Sequence, residues 1–219
     1  MLALQLIRTD FPLINLSDKV SLALQIMEDY EVQHLPVVSD GNFLGLVSKE
    51  DLLDTEDGSP VAAIQNLFIR AYIKAEQHFS AAVKLAATLN LSLIPVINDN
   101  QELTGLISSY ELLTTLSNFI GNEERGGIIV LEIEKKDYSF GEISRLVETN
   151  DAYITQLNTL TNQETGILTV TVKINKNEIS DVIATFQRYD YHVRHYFGEE
   201  AYTNELKDNY HQLIAYLNI

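Results

Sequence analysis

The sequence predicts an α+β fold in two parts: a unit that occurs twice, then a domain of strands and helices with a different pattern. Three observations predict it. Sliding the chain by 59 residues lays residues 17–38 on residues 76–97, the mark of an internal repeat. Beyond residue 127 the apolar spacing alternates between strand and helix periods, which reads as strands interleaved with helices. Of the 219 residues, 46% are apolar, enough for a buried core and unlike a disordered or collagen-like chain.

The repeat justifies its elements in order. Ser21 meets Ser80, Ala23 meets Ala82, Pro36 meets Pro95 and Val37 meets Val96. With one residue added to the second copy, Gly45-Leu46-Val47-Ser48 meets Gly105-Leu106-Ile107-Ser108, and Leu52-Leu53 meets Leu112-Leu113. Val20, Ala23, Leu24, Met27 and Tyr30 fall at helical spacing, with Ser17 placed to cap the helix. Residues 35–38 form a short strand headed by Pro36, which a strand tolerates at its first residue. A turn at Asp40-Gly41-Asn42 leads to a second strand over 43–47, and a short helix starts at Lys49. The second copy offers Phe79, Val83, Ala86 and Leu89, strands over 94–97 and 103–107, and a helix that Gly121 stops. Between the copies lies a polar loop, 54–58, after which Ser59-Pro60 starts a connecting helix as N-cap and N1.

These residues resemble a tandem pair of CBS domains, a Bateman module. His34-Leu35-Pro36-Val37-Val38 and Gly45-Leu46-Val47-Ser48 with Asp51 carry the resemblance in the first copy. Leu93-Ile94-Pro95-Val96-Ile97 and Gly105-Leu106-Ile107-Ser108 with Glu111 carry it in the second. It covers residues 1–121, with one domain at about 1–57 and the other at about 58–121, and implies βαββα units.

After a charged linker over 122–127, the rest reads strand (128–133), helix (Phe140, Ile143, Leu146, Val147) and strand (153–160). A turn, a strand over 167–174, a helix (Ile179, Val182, Ile183, Phe186) and a strand over 191–197 follow. The order βαββαβ is the ferredoxin-like arrangement. Placed after a CBS pair, it resembles an ACT domain over 127–198, and the whole resembles the acetoin utilization protein B family. Phe140-Gly141 stands where the ACT ligand loop usually carries Pro-Gly; the Pro is lost, and a pairing surface is expected here. Tyr202, Leu206, Tyr210, Leu213 and Leu217 mark an amphipathic helix over 199–219, expected to pack back on its own chain.

Composition excludes several function classes. There is no Cys, hence no disulfide, thiolate metal site or thiol nucleophile. The formal net charge is −16, which disfavours nucleic acid as a partner. No stretch approaches a membrane span, and no basic region precedes the first apolar run, against a secretory signal. A cytoplasmic protein is expected. No metalloprotease, P-loop or nucleophile-elbow motif occurs. His192 and His195, three apart on a strand, are expected on opposite faces and unable to chelate together. No enzyme is expected, because no nucleophile, base and orienter assemble.

Ser48-x-x-Asp51 opens a helix after a strand. One reading is a capping box; another is a ligand site, with the carboxylate on a ribose diol. In CBS proteins this pattern commonly holds the ribose of an adenosine ligand. The resemblance therefore implies Ser48 and Asp51 as ligand-binding, with Pro36 and Val37 beside them. Ser108, Glu111 and Pro95 are the matching set; the longer Glu111 makes that site degenerate. Residues 1–121 hold 15 acidic and 6 basic residues, so AMP or S-adenosylmethionine is favoured over ATP unless Mg²⁺ offsets the charge. The expectation is a regulatory ligand sensor acting on an unidentified protein, forming a homodimer in which exposed Leu22 and Leu85 and the 167–174 strand take part. The alternative is a ligand-free scaffold.

Overall fold

The computed structural model describes residues 1–198; the expected tail helix lies outside them. The chain divides at Leu116 and Ser117 into two compact units. The boundary falls inside a helix instead of after Gly121.

The first unit contains two three-stranded sheets of the same design. In the first copy, β1 (Ile14–Asn15), α1 (Val20–Asp29), β2 (His34–Ser39), β3 (Asn42–Ser48) and α2 (Lys49–Leu53) follow in order. In the second, β4 (Ile73–Lys74), α3 (Ser80–Leu89), β5 (Leu93–Ile97), β6 (Leu103–Ser108) and α4 (Ser109–Phe119) repeat them. In each sheet the middle strand pairs parallel with the two-residue strand and antiparallel with the hairpin strand. β2 and β5 are buried along nearly their whole length, so their apolar runs do not alternate.

Several local expectations change. Pro36 and Pro95 are each the third residue of a central strand, not the first. They are accommodated because the parallel partner joins only from Val37 and Val96. Ser17 caps nothing: the N-cap of α1 is Lys19, and the Asp18 carboxylate takes the Asn15 amide instead. Pro60 is itself the N-cap of a 3₁₀ segment, Val61–Leu67. Leu22 is exposed, but Leu85 packs on the second copy's core.

The two copies exchange their leading segments. Residues before β1 serve the second copy: Ala3 is buried in its core, and Arg8 pairs with Leu106 of β6. The connector serves the first: Val61, Ile64 and Phe68 are in its core, and Ile69 pairs with Leu46 of β3. Both glycines of the repeated motif sit under these crossings. A Cβ on Gly45 would come within 2.7 Å of Phe68 Cβ, and one on Gly105 within 2.9 Å of Arg8 O, so neither tolerates a side chain without backbone movement. The copies also meet where equivalent positions face each other. Gln33 N donates to Ser92 Oγ at 2.9 Å, and Asn42 bridges to Glu102. Equivalent residues in mutual contact at two points place a pseudo-two-fold axis between the copies.

The second unit has β7 (Ile128–Glu134), α5 (Phe140–Glu148), β8 (Ile154–Thr161), β9 (Ile167–Ile174), α6 (Ser180–Arg188) and β10 (His192–Phe197). Its sheet is antiparallel throughout, in the order β10-β7-β9-β8, which is the ferredoxin-like topology of an ACT-type domain. Ile129, Leu131, Val170 and Val172 on one sheet face pack with Ile143, Leu146, Ile183 and Phe186 from the helices. Helix α5 starts at an N-cap, Ser139, whose Oγ accepts the Glu142 amide, and a Cβ on Gly141 would meet nothing.

Two corrections arise here. β9 lies inside the sheet between β7 and β8, so it cannot pair with a second chain; β8 and β10 are the edges among the described residues. Its Lys173 is buried and donates to Gly121 O just beyond α4. A cation at a helix C-terminus is favourable. In β10 the register shifts between Val193 and His195. That bulge turns His192 and His195 to the same face, opposite Glu132 and Val130. Glu132 is engaged by Arg194 Nη1 at 2.5 Å and lies 3.3 Å from His192 Nδ1. No helix among the described residues is long and apolar enough to cross a membrane.

Candidate functional site

A cleft of 760 Å³ opens in the first unit. Ser48, Lys49, Glu50 and Asp51 form one wall, where β3 runs into α2. Val83, Ala86 and Ala87 of α3, with Leu112, Leu113 and Leu116 of α4, form the facing wall. Gln33, His34 and Ser92 line it where β2 and β5 begin. The volume falls in the range of small-molecule sites, and a mostly apolar lining with a few polar groups is usual for them.

Ser48 Oγ donates to Asp51 Oδ2 at 2.5 Å and accepts from the Asp51 amide at 3.1 Å. The cap and the presentation of the carboxylate are thus one arrangement. An ionised carboxylate has about four acceptor positions, and the hydroxyl takes one. Helix α2 has only five residues and its Asp51 amide is already bonded, so it offers little to a phosphate. Lys49 is the lone basic residue among those lining the cleft, set against Glu50 and Asp51.

His34 is 8% exposed. Its Nδ1 lies 3.3 Å from Ser92 N and 3.2 Å from Ser92 Oγ. Burial holds its pKa below the ordinary 6.5, opposed by the charge of Asp51. No group of three or more His, Asp or Glu able to hold a metal occurs among the described residues.

The other expected site residues lie elsewhere. Pro36, Val37 and Pro95 are buried within β2 and β5, and neither they nor Ser108 and Glu111 line the cleft. The Glu111 amide bonds Ser108 Oγ at 3.1 Å, repeating the cap. Its carboxylate, however, acts on Arg8, whose pKa is raised first by its hydrogen bond to Asp10 and last by Glu111. Arg8 lies 5.5 Å from the centroid of the Phe11 ring, and Phe11 packs on Tyr30 at 5.9 Å between centroids. Arg8, Phe11 and Tyr30 thus gather on the side of the second copy's Ser-x-x-acid motif. Sequence reasoning missed Ser92 and the alanines of α3. The repeat offset was the signal for both, since Gln33 matches Ser92, and Met27 and Glu28 match Ala86 and Ala87.

Residues 3–58 match the CBS domain family. A solved CBS domain pair/ACT domain protein from Thermotoga maritima is 27% identical, with a TM-score of 0.50 over 55% of this chain and 99% of that one. The first unit has the fold of a CBS domain pair. Among curated relatives, homoserine O-acetyltransferase of Methanobrevibacter ruminantium is 28% identical over 117 residues, 52% of this chain and 24% of that protein. Inosine-5'-monophosphate dehydrogenase of Thermoplasma acidophilum is 26% identical over 97 residues, 43% of this chain and 19% of that protein. The chain therefore spans about a quarter or less of the curated relatives it matches.

Proposed function

We propose that the protein is a non-catalytic regulator whose CBS pair binds one adenosine compound per chain and passes the resulting change to a partner protein. The observation that carries this reading is the cleft between Ser48–Asp51 and the small-residue face of α3. The free acceptor positions of Asp51 suit the two hydroxyls of a ribose, and the apolar wall suits a flat base. One lysine against two carboxylates favours a ligand with little negative charge, AMP or S-adenosylmethionine, over ATP; Mg²⁺ would be needed to reverse that order. The cleft is walled by both copies, so a ligand that fits one relative placement of them better than another shifts the population toward it, by no more than its differential affinity.

The same reading extends to assembly and setting. Leu53 and Leu113, equivalent in the repeat, are 64% and 66% exposed, and a second copy of the chain covers them about a two-fold axis in the homodimer we propose. We place its action in the cytoplasm and, on the order of its domains, within the acetoin utilization protein B family. Calorimetry with AMP, ATP and S-adenosylmethionine, with and without Mg²⁺, tests the ligand: one site per chain is expected. Failure of all three to bind or to raise the melting temperature would leave a ligand-free scaffold as the reading.

A further inference from the structure

His34 is the one ring among the groups lining the cleft, and its surroundings fix more than its position. Ser92 N carries a hydrogen and can only donate, so at 3.3 Å it requires a lone pair on His34 Nδ1. The imidazole is therefore neutral with its hydrogen on Nε2. That nitrogen makes no hydrogen bond with any described residue, and it is not among the sealed, unpartnered polar atoms, of which Ser180 Oγ is the one found among the described residues. The side chain is only 8% exposed and lines the cleft, so the cleft is where that nitrogen can meet a ligand. The charged groups of the cleft wall are Lys49, Glu50 and Asp51, all on α2; α3 and α4 contribute none to the lining. Asp51 is the one whose charge acts on the ring, and its Oδ2 is held by Ser48.

Resting on the adenosine reading above, we infer that His34 is the specificity-determining donor of the cleft: its Nε2–H, fixed in direction and tautomer by the Ser92 amide of the other copy, reads a lone-pair acceptor of the ligand. A ring nitrogen or carbonyl oxygen of the base satisfies it; a donor at the same place leaves two hydrogens opposed and two groups unpaired, which costs affinity. The second copy has Leu93 at this position, so it has no such donor. The two copies are thus both needed for the reading, since one supplies the ring and the other sets its tautomer.

Two-bond proton–nitrogen spectra of the uniformly labelled full chain report which imidazole nitrogen carries the hydrogen, with His34→Gln assigning the signal among the five histidines. The Nε2–H form is expected at pH 7. The Nδ1–H form, or a freely averaging ring, overturns the inference. AMP added to the same sample should move the His34 Nε2 signal. His34→Phe keeps a ring but loses the donor and should bind AMP about tenfold more weakly, whereas His34→Gln, whose amide nitrogen reaches the Nε2 position, should stay within about threefold. Equal AMP affinity for wild type and His34→Phe overturns the role of His34 alone. Absence of binding by AMP and adenosine to the wild type overturns the adenosine reading and this inference with it.

Discussion

Glu31 and Asn90, just after α1 and α3, adopt the same left-handed conformation, with φ of 53° and 52°. The residues that precede them diverge. The first copy has Leu24, Met27, Glu28 and Tyr30 where the second has Val83, Ala86, Ala87 and Leu89. The second set is the smaller at every position, and it lines the cleft. Tyr30 instead packs, tilted, against Phe11, whose ring lies under Arg8. One backbone used twice thus keeps an opening where the smaller side chains lie, and side-chain volume decides between the two equivalent positions. The caps show the same divergence: Asp51 accepts from the Ser48 hydroxyl, whereas only the amide of Glu111 is bonded to Ser108.

The comparison can be broken most strongly through the residue both copies share. Leu93 belongs to β5 yet is fully buried in the first copy's core. Leu93→Ala should cost about 2–5 kcal/mol in urea unfolding, with both copies lost in one transition; a separate early transition for the second copy would show that they fold independently. Exchanging the linings comes next. Ala86→Met with Leu89→Tyr gives α3 the bulk of α1 and should weaken AMP binding by about 10–100-fold. Unchanged titration curves would mean that volume does not choose the site. Asp51→Ala should weaken AMP about tenfold, while Glu111→Ala should leave it unaltered; equal losses would put ligands in both halves.

The smallest effect is expected from pH. The folded-state pKa of His34 is depressed by burial, so between it and the ordinary value near 6.5 the unfolded chain binds the extra proton. Stability from this group is present above about pH 6.5 and falls as pH drops below it. Urea midpoints taken at pH 7.5 and 5.5 should differ more for wild type than for His34→Gln; equal differences would detach this residue from the acid sensitivity.

The elements were legible because each carried its own period. Ile143, Leu146 and Val147 on α5, and the alternation along β9, predict what forms. The two-residue strands β1 and β4 have no period to read, and their pairing depends on β2 and β5. The interior position of β9 was implied by the βαββαβ order, whose third strand lies between the first and the second, but not by the strand itself, because an alternating strand looks alike at an edge and in the middle. Nor was the bulge in β10, since His192, Arg194 and His195 carry no sign of an inserted residue. At the site, Ser48 and Asp51 could be found from spacing alone. Ser92 needed the repeat offset as well, because its contact with Gln33 and His34 joins residues 58 and 59 apart.

The exchange of leading segments has a consequence for anyone dividing this gene. A fragment ending at residue 58 would carry the strap that closes the other half, Leu2 to Arg8, and would lack Ile69 and the buried Val61, Ile64 and Phe68 that close its own. Neither half is complete by inheritance. Two fragments cut in the polar loop would have to find each other to fold, which makes residues 54–58 a natural place to split the chain for a reporter that assembles only when both pieces are made in one cell.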